Sequence, residues 1–199
     1  MKKQSGFTLI ELVIVVVIIG LLAVTAIPKF LNLTNQAEGA NIEGMAGGFA
    51  TAVSLIRAQW EAKGRPQNAT SQNTVNYDGT VVMLTTEATN IRPGYITGLT
   101  DGVTLGGDFD ITNCLEIWRN ILQRPPTVSN NIADLNSGNA SYFASLSGSG
   151  ITAQCHYYLK ETLNRDGNGN FTSPGSSTTI GNSFTYQPSN SAVVVYVNK

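Results

Sequence analysis

The chain has 199 residues and 21.2 kDa, room for one ordinary domain or a small domain plus an appendage. Twelve Lys and Arg against 13 Asp and Glu leave a net charge of −1, which excludes bulk binding to a nucleic-acid backbone. One His and two Cys exclude a His- or Cys-rich metal centre and leave little for His-based or thiolate catalysis, so the reading is of a non-enzyme with no cofactor and no catalytic residues.

Hydrophobic residues make up 42% of the chain and charged ones only 13%, and the two are unevenly spread. Phe7 to Ile27 is an apolar run interrupted by Thr8, Glu11, Gly20 and Thr25, and no charge occurs from Leu12 to Pro28. Twenty-one helical residues reach about 30 Å, the thickness of a bilayer's hydrocarbon core. Lys2 and Lys3 precede the run and Lys29 follows it, so the charge bias predicts a membrane helix with a cytoplasmic N-terminus and an exported remainder. A cleaved secretory signal is the competing reading, with Val24-Thr25-Ala26 as its small-residue cut site. Two features oppose it: Glu11 lies inside the apolar core, and the apolar helix pattern continues past the supposed cut.

A carboxylate within an apolar helix costs a few kcal/mol on insertion scales and requires a partner. No Lys, Arg or His lies within a helical turn downstream of Glu11, so the reading looks elsewhere, to a new amino group created by cutting just before Phe7. The run Gly6-Phe7-Thr8-Leu9-Ile10-Glu11, behind the basic leader Met1 to Ser5, resembles the type III signal sequence of type IV pilins and pseudopilins. The resemblance implies that a prepilin peptidase cuts after Gly6 and that Phe7 becomes an N-methylated terminus. It also implies that Glu11 answers a neighbouring subunit's amine, and that Gly20 and Pro28 soften the helix. Proline removes one helical hydrogen bond and clashes with the carbonyl four residues back, so Gly20 to Pro28 is expected to kink or melt. The organisation implied is a leader, 1–6, a membrane and filament-core helix, 7–30, an amphipathic half of the same helix, 31–63, and an α+β head, 64–199.

Ile42, Met45, Phe49, Val53, Ile56 and Trp60 continue the helix as one apolar stripe, read as core, and Gly64 and Pro66 stop it. A second bend at Gly47-Gly48 is left open. Residues 64–199 carry 46 Asn, Ser and Thr against 16 charged residues, a balance suited to an extracytoplasmic surface. Asn76 to Gly79 reads as a turn before a strand at Val81 to Leu84, and Arg92-Pro93-Gly94 as a turn before Tyr95-Ile96. Asp110 or Thr112 caps a helix carrying Ile111, Cys114, Leu115, Trp118, Ile121 and Leu122. Ile151, Ala153, Cys155, Tyr157 and Leu159 alternate with Gln154, His156, Tyr158 and Lys160, the pattern of a half-buried strand with His156 on its polar face. Phe184 to Tyr186 and Ala192 to Val197 complete the expected strands. The fold class read from this pattern is α+β, a long N-terminal helix against an antiparallel sheet, as in the pilin fold.

Cys114 and Cys155 lie in the exported part, where oxidation is expected; closing a loop of that size contributes about 4 kcal/mol on the chain-entropy model. A free thiol or half a metal site lacks acidic or His neighbours in the sequence. Asn164, Asp166, Asn168 and Asn170 alternate like the start of a calcium loop, but Gly175 stands where the distal Glu belongs, and an Asn-Gly turn is the better reading. Pro28 to Leu33, Cys114 to Trp118 and Phe184 to Pro188 are similar to the major pilins of mannose-sensitive haemagglutinin (MSHA) pili.

The reading is therefore a major structural subunit, made in the inner membrane and polymerised by pilus assembly machinery into a surface fimbrium for adhesion. Its partners are copies of itself, the peptidase and the machinery. A pseudopilin of a type II secretion system is the alternative, and a membrane-anchored enzyme a remote one.

Overall fold

The computed structural model describes residues 7–99 and 103–198. Contacts divide the chain into two units, residues 1–37 and 38–199. The first helix, α1 (Leu9–Ala62), begins in one unit and ends in the other. Its assignment runs unbroken through Gly20, Pro28 and Gly47-Gly48, so no melted stretch interrupts it in the single chain. Thr25 Oγ1 donates to the Leu22 carbonyl at 2.9 Å, one turn before Pro28 deprives the Val24 carbonyl of its usual donor.

In the second unit the predicted stripe is the buried face of α1: Ile42, Phe49, Val53, Ile56 and Trp60, with Gly39 before them and Ala46 and Ala52 between them. Met45, placed in the same stripe, is half-buried. The helix closes as predicted. Gly64, at φ +78°, takes the left-handed conformation that glycine tolerates; its N–H donates to the Glu61 carbonyl and that of Arg65 to Trp60. A three-stranded sheet follows, β1 (Thr74–Tyr77), β2 (Thr80–Leu84) and β3 (Ile96–Gly98), with the Asp78-Gly79 turn joining the first two. At Gly94 a Cβ would lie 2.6 Å from the Trp60 ring, so only glycine lets this turn close on α1.

Asp110, not Thr112, caps α2 (Ile111–Ile121), its Oδ1 accepting from the N–H of Thr112 at 2.7 Å while Asn113 returns the bond to the Asp110 N–H. A five-stranded sheet is built from β4 (Val128–Ser129), β5 (Tyr142–Ser147), β6 (Gln154–Leu159), β7 (Ser183–Gln187) and β8 (Ala192–Tyr196), with a short helix, α3 (Ile132–Asn136), after β4. The order is sequential and antiparallel, apart from the two-residue β4, which pairs parallel to β5. The α+β class with a long helix and an antiparallel sheet is as expected.

One face of this sheet meets α1 and α2 in an aromatic core. Phe49 lies within 5.3–6.4 Å, centroid to centroid, of Trp118, Tyr157, Phe184 and Tyr186, and Trp118 within 4.7 Å of Tyr142. Each polar tip in this dry core has an acceptor. Tyr157 donates to the Cys114 carbonyl at 2.7 Å, Tyr186 to the Ile96 carbonyl at 3.0 Å, and Trp118 Nε1 to the Pro126 carbonyl at 2.8 Å. Burial pushes the Tyr157 and Tyr186 phenols well above their ordinary range. Cys114 and Cys155 are bonded, with Cα atoms 5.6 Å apart, and both are fully buried; the bridge ties α2 to β6 through the core.

The other face of β6 departs from expectation. The strand begins at Gln154, after a single 3-10 turn that leaves Ile151 exposed, and His156 and Tyr158 are buried, not solvated. A second apolar cluster, Leu135, Ala140, Phe143, Tyr158, Leu163 and Phe171, covers that face. Tyr158 donates to the Ser177 carbonyl at 3.0 Å, which leaves its oxygen to accept from His156 Nδ1 at 3.4 Å, and Nε2 to accept from Ser147 Oγ at 2.7 Å. The neutral imidazole is satisfied at both nitrogens, and burial holds its pKa below the ordinary value. Asp166 is likewise occupied: its Oδ1 accepts from the N–H groups of Asn168 at 2.8 Å and Asn170 at 2.9 Å, closing the Asn-Gly turn. Among the described residues no group of three or more His, Cys, Asp or Glu is placed to hold a metal.

Cys155→Ser in a protein beginning at Lys29 removes the covalent closure and is expected to lower unfolding stability by about 4 kcal/mol, measured by denaturant titration against the parent; equal midpoints with and without reductant contradict it. For the only histidine, the unfolded chain takes a proton near pH 6.5 while the folded one resists to lower pH. Between the two the unfolded state binds more protons, so His156's contribution is full above about pH 6.5 and falls as pH drops towards the lowered folded value. Melting temperature therefore declines from about pH 7 to pH 5.5, and His156→Asn flattens the decline; an unchanged slope in the variant refutes the assignment.

Candidate assembly site

Every described side chain from Phe7 to Val24 is exposed, as are Ile27, Phe30, Leu31 and Leu33. Leu9 is 81% exposed and Leu22 62%, values that a large aliphatic residue in water normally avoids. Among its described residues the first unit thus presents an uncovered apolar cylinder. An apolar surface of this size marks a membrane or protein contact. The helix is apolar and long enough to cross a membrane by length and composition.

Glu11 is the one acid in this stretch, and its local geometry is specific. Thr8 stands just before the first helical residue and serves as N-cap, with Glu11 three residues on. The Glu11 N–H donates to Thr8 Oγ1 at 3.3 Å; in return Glu11 Oε2 accepts from the Thr8 N–H at 2.9 Å and from Thr8 Oγ1 at 2.7 Å. This is a capping box, in which cap and third residue satisfy each other's free groups at the helix N-terminus. The sequence reading sought a partner for Glu11 only outside the helix and passed over Thr8. The Thr-x-x-Glu spacing ahead of an apolar run carried that signal. The capping box turns the carboxylate back towards Phe7, at the positive end of the helix dipole, instead of leaving it to point among the apolar side chains.

Phe7 is the residue before the cap and is 80% exposed. A chain beginning there keeps the whole box and places its terminal amine one residue from the cap. Gly6 and the leader lie outside the described residues. Gly20 is open on all sides: a Cβ there meets nothing within 4 Å. Pro28 and Lys29 line a shallow open groove along the helix with Thr25, Asn32, Leu33 and Gln36.

Residues 1–27 match the family model for the prokaryotic N-terminal methylation motif. The chain is 47% identical over 64 residues to the type IV narrow pilus major component PilA5 of Thermus thermophilus, covering 32% of this chain and 53% of that protein. It is 39% identical over 75 residues to the type IV major fimbrial protein FimA of Dichelobacter nodosus, covering 38% and 47% of the two chains. It is also 38% identical over 56 residues to the type II secretion system core protein G of Pseudomonas aeruginosa, covering 28% and 39%. The chain spans about half the length, or less, of these relatives. No solved structure matches it. The family model thus matches the segment that holds the capping box and most of the exposed apolar helix, and each of these relatives is similar over 75 residues or fewer.

Proposed function

We propose that this chain is the major subunit of a surface fibre, held in the inner membrane by α1 as a precursor and polymerised through the same helix once its leader is removed. The observation that carries the reading is the uncovered apolar cylinder of residues 7–33 in a chain whose head has a closed core of its own. Monomers cannot keep such a surface in water; a bilayer covers it before assembly and the helices of other copies cover it afterwards. The head, with its Asn-, Ser- and Thr-rich coat, faces outward and serves attachment. It acts without a cofactor or an active site, and within the family its segments suit the MSHA-type major pilins.

On this reading Gly6 and Phe7 are the cleavage and N-methylation residues, and Glu11 is the assembly residue. Before assembly the carboxylate is served by Thr8 and interfacial water. Within a bundle of apolar helices it gains the Phe7 amine of an adjacent copy, a pairing that fixes axial register where apolar surfaces would slide. Gly20 and Pro28 give the helix its weak points, where packing among copies bends or unwinds it. The similarity to a type II secretion core protein supports a second reading, a short periplasmic pseudopilus built from the same helix. The bridged head of residues 64–199 favours the fibre. Electron microscopy of cells with and without the gene decides between them: loss of surface fibres supports the first, and a secretion defect with no change in fibres supports the second.

Processing gives a direct check. N-terminal sequencing of mature protein starts at Phe7, and Gly6→Val accumulates the full-length precursor; a start at Ile27 instead establishes an ordinary secretory signal. For assembly, Glu11→Gln and Glu11→Val leave cleavage, insertion and head folding intact but sharply reduce fibre number. Normal fibre yield from Glu11→Val cells with cleavage confirmed contradicts the role given to the carboxylate.

A further inference from the structure

The second unit carries a cleft of about 320 Å³ between the last turn of α1, the turn that joins β1 to β2, and the end of α2. Gln59, Tyr77, Asp78 and residues 120–123 line it, and among these described residues none is Lys or Arg. Its amides are turned one way. Gln59 Nε2 donates to the Asn76 carbonyl at 2.6 Å and Asn120 Nδ2 to the Glu116 carbonyl at 2.8 Å, so each nitrogen is anchored to the backbone and each side-chain oxygen is left over. Leu122 leaves α2 in an extended conformation, and among the described residues no backbone N–H beyond the helix bonds to the Asn120 or Ile121 carbonyl. The negative end of the α2 dipole therefore forms part of the wall.

Asp78 adds a full negative charge. It is exposed and takes part in no ion pair among the described residues; the neighbouring Lys63 donates instead to the Asn76 carbonyl at 3.2 Å. The half-buried Tyr77 adds an aromatic ring. Elsewhere in the head such rings carry a cation: Arg57 lies 4.6 Å from the Tyr95 centroid, Arg65 5.6 Å from that of Trp60 and Arg165 3.9 Å from that of Phe171. No cation among the described residues lies over Tyr77.

A cleft made of acceptors calls for a ligand made of donors. A bound calcium ion takes six to eight closely converging oxygens, which one carboxylate in a space of this size does not provide. An organic ammonium matches better. It has several N–H donors and no acceptor, its charge suits both Asp78 and the helix end, and it is attracted to the face of an aromatic ring. The volume is on the scale of small-molecule sites.

We propose that this cleft binds the primary ammonium group of a small organic molecule, with Asp78 as its counter-ion, Tyr77 as its aromatic face and the side-chain oxygens of Gln59 and Asn120 as acceptors. An amino sugar and an ethanolamine headgroup both carry that group. The cleft lies wholly in the second unit, so the inference goes beyond the assembly reading and does not depend on it. The site discriminates a free amine from its acylated form, because acylation removes the charge and replaces donors with an acceptor.

Ligand-observed saturation-transfer NMR on the full chain in detergent tests this, with glucosamine, ethanolamine and N-acetylglucosamine as probes, below neutral pH where both amines hold their proton. At least one amine is expected to bind, and N-acetylglucosamine, the acylated form of glucosamine, to bind about tenfold more weakly or not at all. Binding of glucosamine alone supports the site with a saccharide as the source, binding of ethanolamine alone supports it with a headgroup, and equal binding supports recognition of the ammonium itself. Asp78→Asn is expected to weaken amine binding by about tenfold, the loss that follows when a charged acceptor becomes neutral. Melting temperature stays unchanged in that variant, since Asn tolerates the positive φ of +49° at this turn position as Asp does. Binding of neither amine, N-acetylglucosamine binding as tightly as glucosamine, or a folded Asp78→Asn protein that binds the amine undiminished overturns the inference and leaves the fibre reading standing.

Discussion

An apolar helical segment whose described side chains stand exposed sets the terms for everything else in this protein. From Phe7 to Leu33 the large side chains are exposed, and burying each of them is worth on the order of 1.5–3 kcal/mol, so the sum far exceeds what holds an ordinary domain together. Such a surface has to be covered by lipid or by protein at every stage of the molecule's life. On the proposed function one helix serves as both anchor and polymerisation element, and Glu11, Lys29, Gly20 and Pro28 interrupt its apolar surface together with Thr8, Thr25 and Asn32.

The remainder of α1 obeys a different rule. Beyond Gly39 its buried stripe is matched by a head that supplies the opposing surface: Trp118 from α2, Tyr157 from β6, and Phe184 and Tyr186 from β7 around Phe49. The disulfide joins α2 to β6 beside these rings. The head has few charges, and both ion pairs among the described residues centre on Glu61 near the end of α1, so its stability comes from this dry aromatic core, from satisfied polar tips and from covalent closure. On the proposed function that suits a domain facing solvent of variable salt, where surface electrostatics would be screened.

Much of this was legible in the residues themselves. The stripe from Ile42 to Trp60, the stop at Gly64, the helix at Asp110 and the strands around Cys155 and Tyr186 each carry a local period or punctuation mark, and local signals survive without tertiary knowledge. The burial of His156 and Tyr158 did not show. Their alternation with Cys155 and Tyr157 marks one face as apolar, and the cover for the other face comes from Leu135, Phe143, Leu163 and Phe171, residues distant in sequence and embedded in Asn- and Ser-rich stretches. For the same reason β5 and α3 went unread. At the site, Glu11 stood out because it is anomalous, whereas the modest Thr8 that caps it was overlooked although its three-residue spacing was in plain sight.

On the proposed function the N-terminal helices are the inside of a polymer and the heads its outside. A helical reconstruction of fibres sheared from wild-type cells tests this most directly. The predicted density shows residues 7–33 packed against one another along the fibre axis, with Glu11 inside and the disulfide-bonded heads forming the surface. A fibre joined through its heads, with these helices at the periphery or absent, would contradict it.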